Sequence, residues 1–195
     1  MNRIAQLVAC LTFVGVFSGC GGGSVTGTVS GISLAVQDSI FFVLKDDQGK
    51  TGALTVIMAD KPNLCDTLKA NRQPKSATSL FFYLYNVKIE NGAVSLLAPD
   101  VGTYTVADLQ NLKTSGTYAG TGFSKADANC TDSLTAASST GKSGSIRLTT
   151  VKAEANGNLA GTFDVSIGTQ TDKLTGTLNA RYCDITKIQA NPSCE

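Results

Sequence analysis

From Val25 onward, apolar and polar residues alternate with a period of two. Leu159, Gly161, Phe163, Val165 and Ile167 fall on one side of a segment whose other side carries Thr162, Asp164 and Ser166. Leu174, Gly176, Leu178, Ala180 and Tyr182 alternate in the same way with Thr175, Thr177, Asn179 and Arg181, and Ile146 and Leu148 with Arg147 and Thr149. An apolar face backed by a Thr-rich one is the pattern of a half-buried antiparallel sheet. With turn residues at 156–158 and 168–172 between them, these segments predict a three-stranded meander. Upstream, Asn91-Gly92 separates Val87–Glu90 from Ala93–Leu96 and predicts a tight hairpin. Ser39–Leu44, Leu54–Met58, Gly102–Val106 and Thr117–Phe123 complete the strands. The one helical candidate runs from Asn63 to Asn71 after Pro62, with Leu64 and Leu68 on one face.

Two features refine this picture. The run apolar-x-Gly-Thr occurs at residues 25–28, 118–121, 159–162 and 174–177, with glycine on the inward parity. Glycine there admits a closely approaching strand or bends its own strand at a bulge. The other feature is Ser79–Val87, where Leu80, Phe82 and Leu84 make one face and Phe81, Tyr83, Tyr85 and Val87 the other. A strand apolar on both faces is covered on both sides. The expected covers are the facing sheet and the 63–71 helix or a loop. The functional alternative is that Phe81, Tyr83 and Tyr85 form a ligand face on which a sugar or peptide stacks.

The N-terminus reads differently. Arg3 precedes an apolar stretch from Ile4 to Phe17, followed by Ser18, Gly19 and Cys20. That stretch is shorter than the ~20 residues of a membrane span and has the layout of a secretory signal. Phe17-Ser18-Gly19-Cys20, with Gly-Gly-Gly-Ser after it, resembles the lipobox of bacterial lipoproteins. Phe17 stands where that family usually carries Leu. The resemblance implies cleavage before Cys20, diacylglycerol on its thiol and acylation of its new amine. Gly21 after the cysteine, in place of the Asp that marks inner-membrane retention, implies the outer membrane where the host has one. Several acyl chains make a stable anchor where one would be marginal. The expected organisation is a lipoprotein signal peptide at 1–19, a Gly-rich tether at 20–24 and a single all-β domain at 25–195.

With Cys20 lipidated and Cys10 removed with the leader, Cys65, Cys130, Cys183 and Cys194 remain. In an exported protein an even set predicts disulfides, and the sequence leaves all three pairings open. Their wide spacing lacks the close pairs of a zinc site.

Composition narrows the chemistry. The 195-residue chain has no His, so neither a Ser-His-Asp triad nor a His-ligated metal is available. Loss of Arg3 with the leader would balance the 16 basic against the 15 acidic residues. Such a chain lacks the basic footprint of a nucleic-acid binder. Ser139–Lys142 and Lys50–Gly52 match S-x-x-K and K-T-G fragments in the reverse of their order in penicillin-binding enzymes, and no G-x-S-x-G occurs. Asp46, Asp47, Asp100, Asp127, Asp132 and Asp172 lie beside predicted turns, where capping accounts for them. Asp127, Asn129 and Asp132 offer oxygens but lack the spacing of an EF-hand calcium loop.

The sequence therefore predicts an antiparallel β-sandwich of roughly ten short strands with one short helix, a small β-barrel being the alternative. It predicts a lipid-anchored, non-enzymatic envelope protein with no cofactor or metal. The membrane is met through the N-terminal lipid, and the role is structural or binding toward a protein or glycan. The alternative role is a binding module for a small apolar or carbohydrate ligand.

Overall fold

The computed structural model describes residues 22–45, 49, 51–108, 110, 112–168, 172–185 and 192–195; the leader-like segment and Cys20 lie outside these. Among the described residues the fold is all-β with two short helices. In order, the elements are β1 (Ser24–Gly27), β2 (Asp38–Lys45), β3 (Thr51–Ala59), α1 (Leu64–Lys69), β4 (Arg72–Gln73), β5 (Thr78–Glu90) and β6 (Ala93–Leu97). They continue with β7 (Gly102–Val106), β8 (Gly116–Lys125), α2 (Ala136–Ser139), β9 (Gly141–Val151), β10 (Asn158–Ile167), β11 (Lys173–Tyr182) and β12 (Ser193–Cys194).

The meander forms as β9–β10–β11, and Asn91-Gly92 turns β5 into β6 with both residues at positive φ. The 63–71 segment forms α1. The expected sandwich does not form. Hydrogen-bonded neighbours run β11-β10-β9-β7-β8-β5-β3-β2, and β2 then pairs in parallel with β11 through Ile40↔Arg181 and Phe41↔Tyr182. The eight strands close into a barrel, the alternative architecture. Closure pairs β2 with the end of β11, and β1 covers the first half of β11, which leaves less open edge than a flat sheet would expose. At the closing seam the rings of Phe41 and Tyr182 meet edge-on, with centroids 5.5 Å apart. Four strands stand outside the ring: β1 pairs with the first half of β11, β6 pairs with the far end of β5, and β4 and β12 pair with each other.

Of the recurring motif's glycines, Gly161 and Gly176 sit at close strand contacts, whereas Gly120, opposite the outward Tyr83 and next to the inward Ala119, faces outward against the expected parity. A Cβ on Gly176 would collide with the Ser24 carbonyl and the Phe163 ring, so its absence lets β1 lie on β11. At Gly161 a Cβ would strike the Arg147 backbone, and the β9–β10 register shifts between Ala160 and Gly161. The N-terminal Gly-rich segment is described only from Gly22; Gly22 and Gly23 are half-buried and Ser24 already belongs to β1.

Inside, Phe41, Met58, Phe82, Tyr104, Phe123 and Phe163 belong to one buried cluster. β5 and β10 lie four strands apart in a ring of eight, hence on opposite walls. Yet the Phe82 and Phe163 rings are only 5.1 Å apart between centroids. Side chains fill the middle of the barrel, as expected of eight strands. The ligand alternative that relied on an open barrel does not match this interior.

Candidate functional site

A second apolar cluster lies on the outer wall over β2, β3 and β5. Its origin is the parity of these strands. Leu54, Val56 and Met58 face the interior, which turns Thr55, Ile57 and Ala59 outward. The register sets them beside the outward residues of β5 as Thr55↔Tyr83, Ile57↔Phe81 and Ala59↔Ser79, while Phe42 of β2 stands beside Thr55.

A roof covers this wall. Asn63, in the left-handed region at φ 59°, starts α1, and the Asp38 carboxylate accepts from the Leu64 N–H at 2.9 Å. Leu64 and Leu68, one turn apart, face the sheet. Cys65 of α1 is disulfide-bonded to Cys183 just past β11, with 5.6 Å between their Cα atoms. Beyond α1, β4 pairs in parallel with β12, and Cys194 of β12 is bonded to Cys130 in the β8–β9 connection. The four predicted cysteines thus form two bridges, and both hold pieces of the roof.

Between wall and roof lie two pockets. One, of about 220 Å³, has Phe42, Thr55 and Tyr83 in its floor and Arg72 and Ile185 above them. The other, of about 240 Å³, extends toward Ala77, Ser79 and Ala126. Ile57, Leu68, Phe81 and Pro192 border both. The Thr55 hydroxyl is shielded from water and has no hydrogen-bond partner, and the same holds for Nε of Arg72, whose Nη1 is paired with Glu195.

Of the three aromatic residues singled out from the sequence, Phe81 and Tyr83 line these pockets. Tyr85 instead borders a separate groove with Val94, Leu96 and Leu112, at the β5–β6 extension. Burial pushes the Tyr83 phenol above its ordinary pKa, with a further rise from nearby Tyr85, and burial raises Tyr85 as well. Both rings stay neutral hydrogen-bonding groups. Thr55 and Arg72 were not picked out from the sequence. A signal for Thr55 existed: it is the lone hydroxyl in Leu54-Thr55-Val56-Ile57-Met58. Arg72 carried none.

Of the carboxylates weighed for acid–base or calcium chemistry, Asp46 and Asp47 lie outside the described residues, and the others accept from backbone donors, Asp100 from Val101 and Asp172 from Ser30. Asp127 accepts from the N–H groups of Asn129 and Thr131, and Asp132 from those of Lys125 and Leu134. Among the described residues no three acidic or sulfur side chains gather as a metal site. Ser139 closes the single turn of α2, and Lys50 lies outside the described residues.

No protein-family model matches the chain, and neither a curated protein nor a solved structure does.

Proposed function

We propose that this chain is a non-enzymatic, lipid-anchored protein of the cell envelope that binds a small apolar ligand in the roofed outer-wall pockets. The carrying observation is an apolar cleft between the outer wall and a roof that is held by a disulfide on either side. Concave apolar sites with few polar groups are how proteins hold small molecules. Each pocket falls below the ~300 Å³ of a drug-sized site, which favours a compact or slender ligand. The apolar lining favours this over a carbohydrate.

Two bonded cysteine pairs fit an oxidising, exported compartment. The lipid anchor rests on Phe17-Ser18-Gly19-Cys20 and its resemblance to the lipobox, and Gly21 favours the outer membrane. Among the described residues no helix is long and apolar enough to cross a membrane.

Two measurements test the reading. Cys20→Ala should release the protein from the membrane fraction, and retention would overturn the anchor. Titration with small apolar molecules should move the amide resonances of Phe81 and Tyr83, and silence across such a panel would remove the binding role.

A further inference from the structure

We infer that the wall formed by β1 and the first half of β11 is the face the barrel turns to the bilayer, and that it meets the head-group layer through hydroxyls rather than charge. This face adds a surface to the lipid-anchor reading above and rests on it. Uncharged head groups would serve it as well as anionic ones.

The position follows from how little chain lies between the anchor and the fold. Gly22 and Gly23 are half-buried rather than part of a free stalk. A Cβ on Gly22 would stand 3.4 Å from Val36 Cγ1, and one on Gly23 would collide with the Thr177 carbonyl. Ser24 then enters β1: its N–H donates to Thr177 Oγ1 at 3.1 Å, and the two hydroxyls are 3.0 Å apart. Gly22 comes two positions after Cys20, and two residues of chain reach at most about 7 Å. Eight strands about 4.8 Å apart and tilted by about 40° close a ring roughly 16 Å across between backbones. The tether is shorter than half that width, so the wall holding Gly22 is the one an acylated Cys20 draws to the membrane. β1 takes the edge of β11 that β2 takes further on, and β7 stands four strands from β2, on the opposite wall.

The chemistry follows from the residues on that wall. Cys20 to Gln37 includes no charged residue and neither does Leu174 to Ala180, although 16% of the chain is charged. Val25, Leu174 and Leu178 pack into the core, which turns Ser24, Thr26, Thr175 and Thr177 outward. Charges at the border have partners of their own. Lys173 pairs with Asp164 at 3.0 Å, Arg181 pairs with Asp38 at 2.9 Å, and the Asp172 carboxylate accepts from the Ser30 N–H at 3.3 Å. Hydroxyls hydrogen-bond the phosphate and ester oxygens of any phospholipid, whereas selection of anionic lipid takes a cluster of Lys or Arg.

The test uses tryptophan fluorescence, because the chain has no Trp and one introduced indole reports only its own surroundings. Ala35→Trp, next to Val36, and Thr26→Trp mark the near wall, and Thr105→Trp marks β7; all three positions are exposed. Two near-wall sites keep the comparison when one substitution lowers the melting temperature. Each lipidated variant is reconstituted in phosphatidylcholine vesicles that contain phosphatidylcholine with a nitroxide on its head group. With the width of the barrel between the two walls, near-wall quenching should exceed that of Thr105→Trp about threefold. Exchanging roughly a third of the lipid for phosphatidylglycerol should leave this ratio unchanged. Inserting about ten Gly and Ser residues between Gly21 and Gly22 should bring it close to one while the protein still floats with the vesicles. Equal quenching on both walls, or a ratio that the insertion does not move, overturns the inference. A ratio that appears only with phosphatidylglycerol overturns the hydroxyl-based contact. A protein that fails to float and carries an unmodified Cys20 by mass removes the anchor reading, and this face with it; flotation with equal quenching removes the face alone.

Discussion

The carboxylate of Asp38 accepts a hydrogen bond from Arg181 Nη2 at 2.9 Å across the seam that closes the barrel. The same carboxylate accepts from the backbone N–H groups of Ser39 and Leu64, each at 2.9 Å. One side chain thus ties the start of β2 to the end of β11 and to the first turn of α1. Asp38 is 9% exposed at its side chain and Arg181 46%, so the partners do not carry equal weight. Asp38 also holds the Arg181 pKa above its ordinary value through their hydrogen bond.

Asp38→Ala should therefore destabilise the protein by about 2–4 kcal/mol, because it strands the Leu64 and Ser39 donors as well as removing the pair. Arg181→Gln removes a half-exposed partner and should cost about 1 kcal/mol or less. Urea unfolding of the two variants measures the gap. Equal, small losses would mean that the carboxylate is not the junction described.

The Cys65–Cys183 and Cys130–Cys194 bridges span 118 and 64 residues. In the chain-entropy model each contributes about 4–5 kcal/mol, the longer by only about 0.5 kcal/mol. Replacing Cys65 and Cys183 together by Ser should lower the melting temperature and speed amide exchange across α1, leaving exchange in the β9–β11 meander nearly unchanged. Peptide mapping of the oxidised protein should recover these two pairs; a Cys65–Cys130 or Cys65–Cys194 peptide would refute the roof.

Alkaline pH should unfold the protein through its tyrosines. Burial raises the phenol pKa values of Tyr83, Tyr85 and Tyr104. A raised acid favours the folded state while the phenol is protonated, so this stability is fully present below the unfolded value of about 10. It is lost as pH climbs through the higher folded values. Tyr104, 1% exposed and hydrogen-bonded to the Asp100 backbone, should contribute more than Tyr83, which is 38% exposed. Melting temperature against pH, followed with phenolate absorbance, checks the sign. Ionisation of all tyrosines at the free-phenol value with the fold intact would contradict it.

Much of the local structure could be read from the chain. The meander, the Asn91-Gly92 turn and α1 form where alternation, turn residues and the Leu64/Leu68 spacing put them. The inward glycines do what their parity suggested: Gly176 admits β1 and Gly161 marks a bulge. Phe81 packs against the cluster that includes Leu64 of the predicted helix, but Tyr85 parts from it because the β3–β5 pairing stops at Leu54↔Leu84 and β6 takes over as the neighbour of β5. Arg72 escaped notice because a lone arginine between a helix and a proline has no pattern of its own; it matters only through the pocket it borders.

Sequence alone determined which residues alternate inward and outward, where the chain turns, and that four cysteines stand beyond Cys20. Those properties depend on neighbours a few positions away. Tertiary structure decided that the sheet closes, since a sandwich and a barrel demand the same alternation and differ in whether β2 meets β11. That meeting joins residues 143 apart, as at Asp38 and Arg181, and depends on the accumulated twist and stagger of every strand between them. The cysteine pairing and the gathering of Thr55, Phe81 and Arg72 under one roof follow from the same long-range closure.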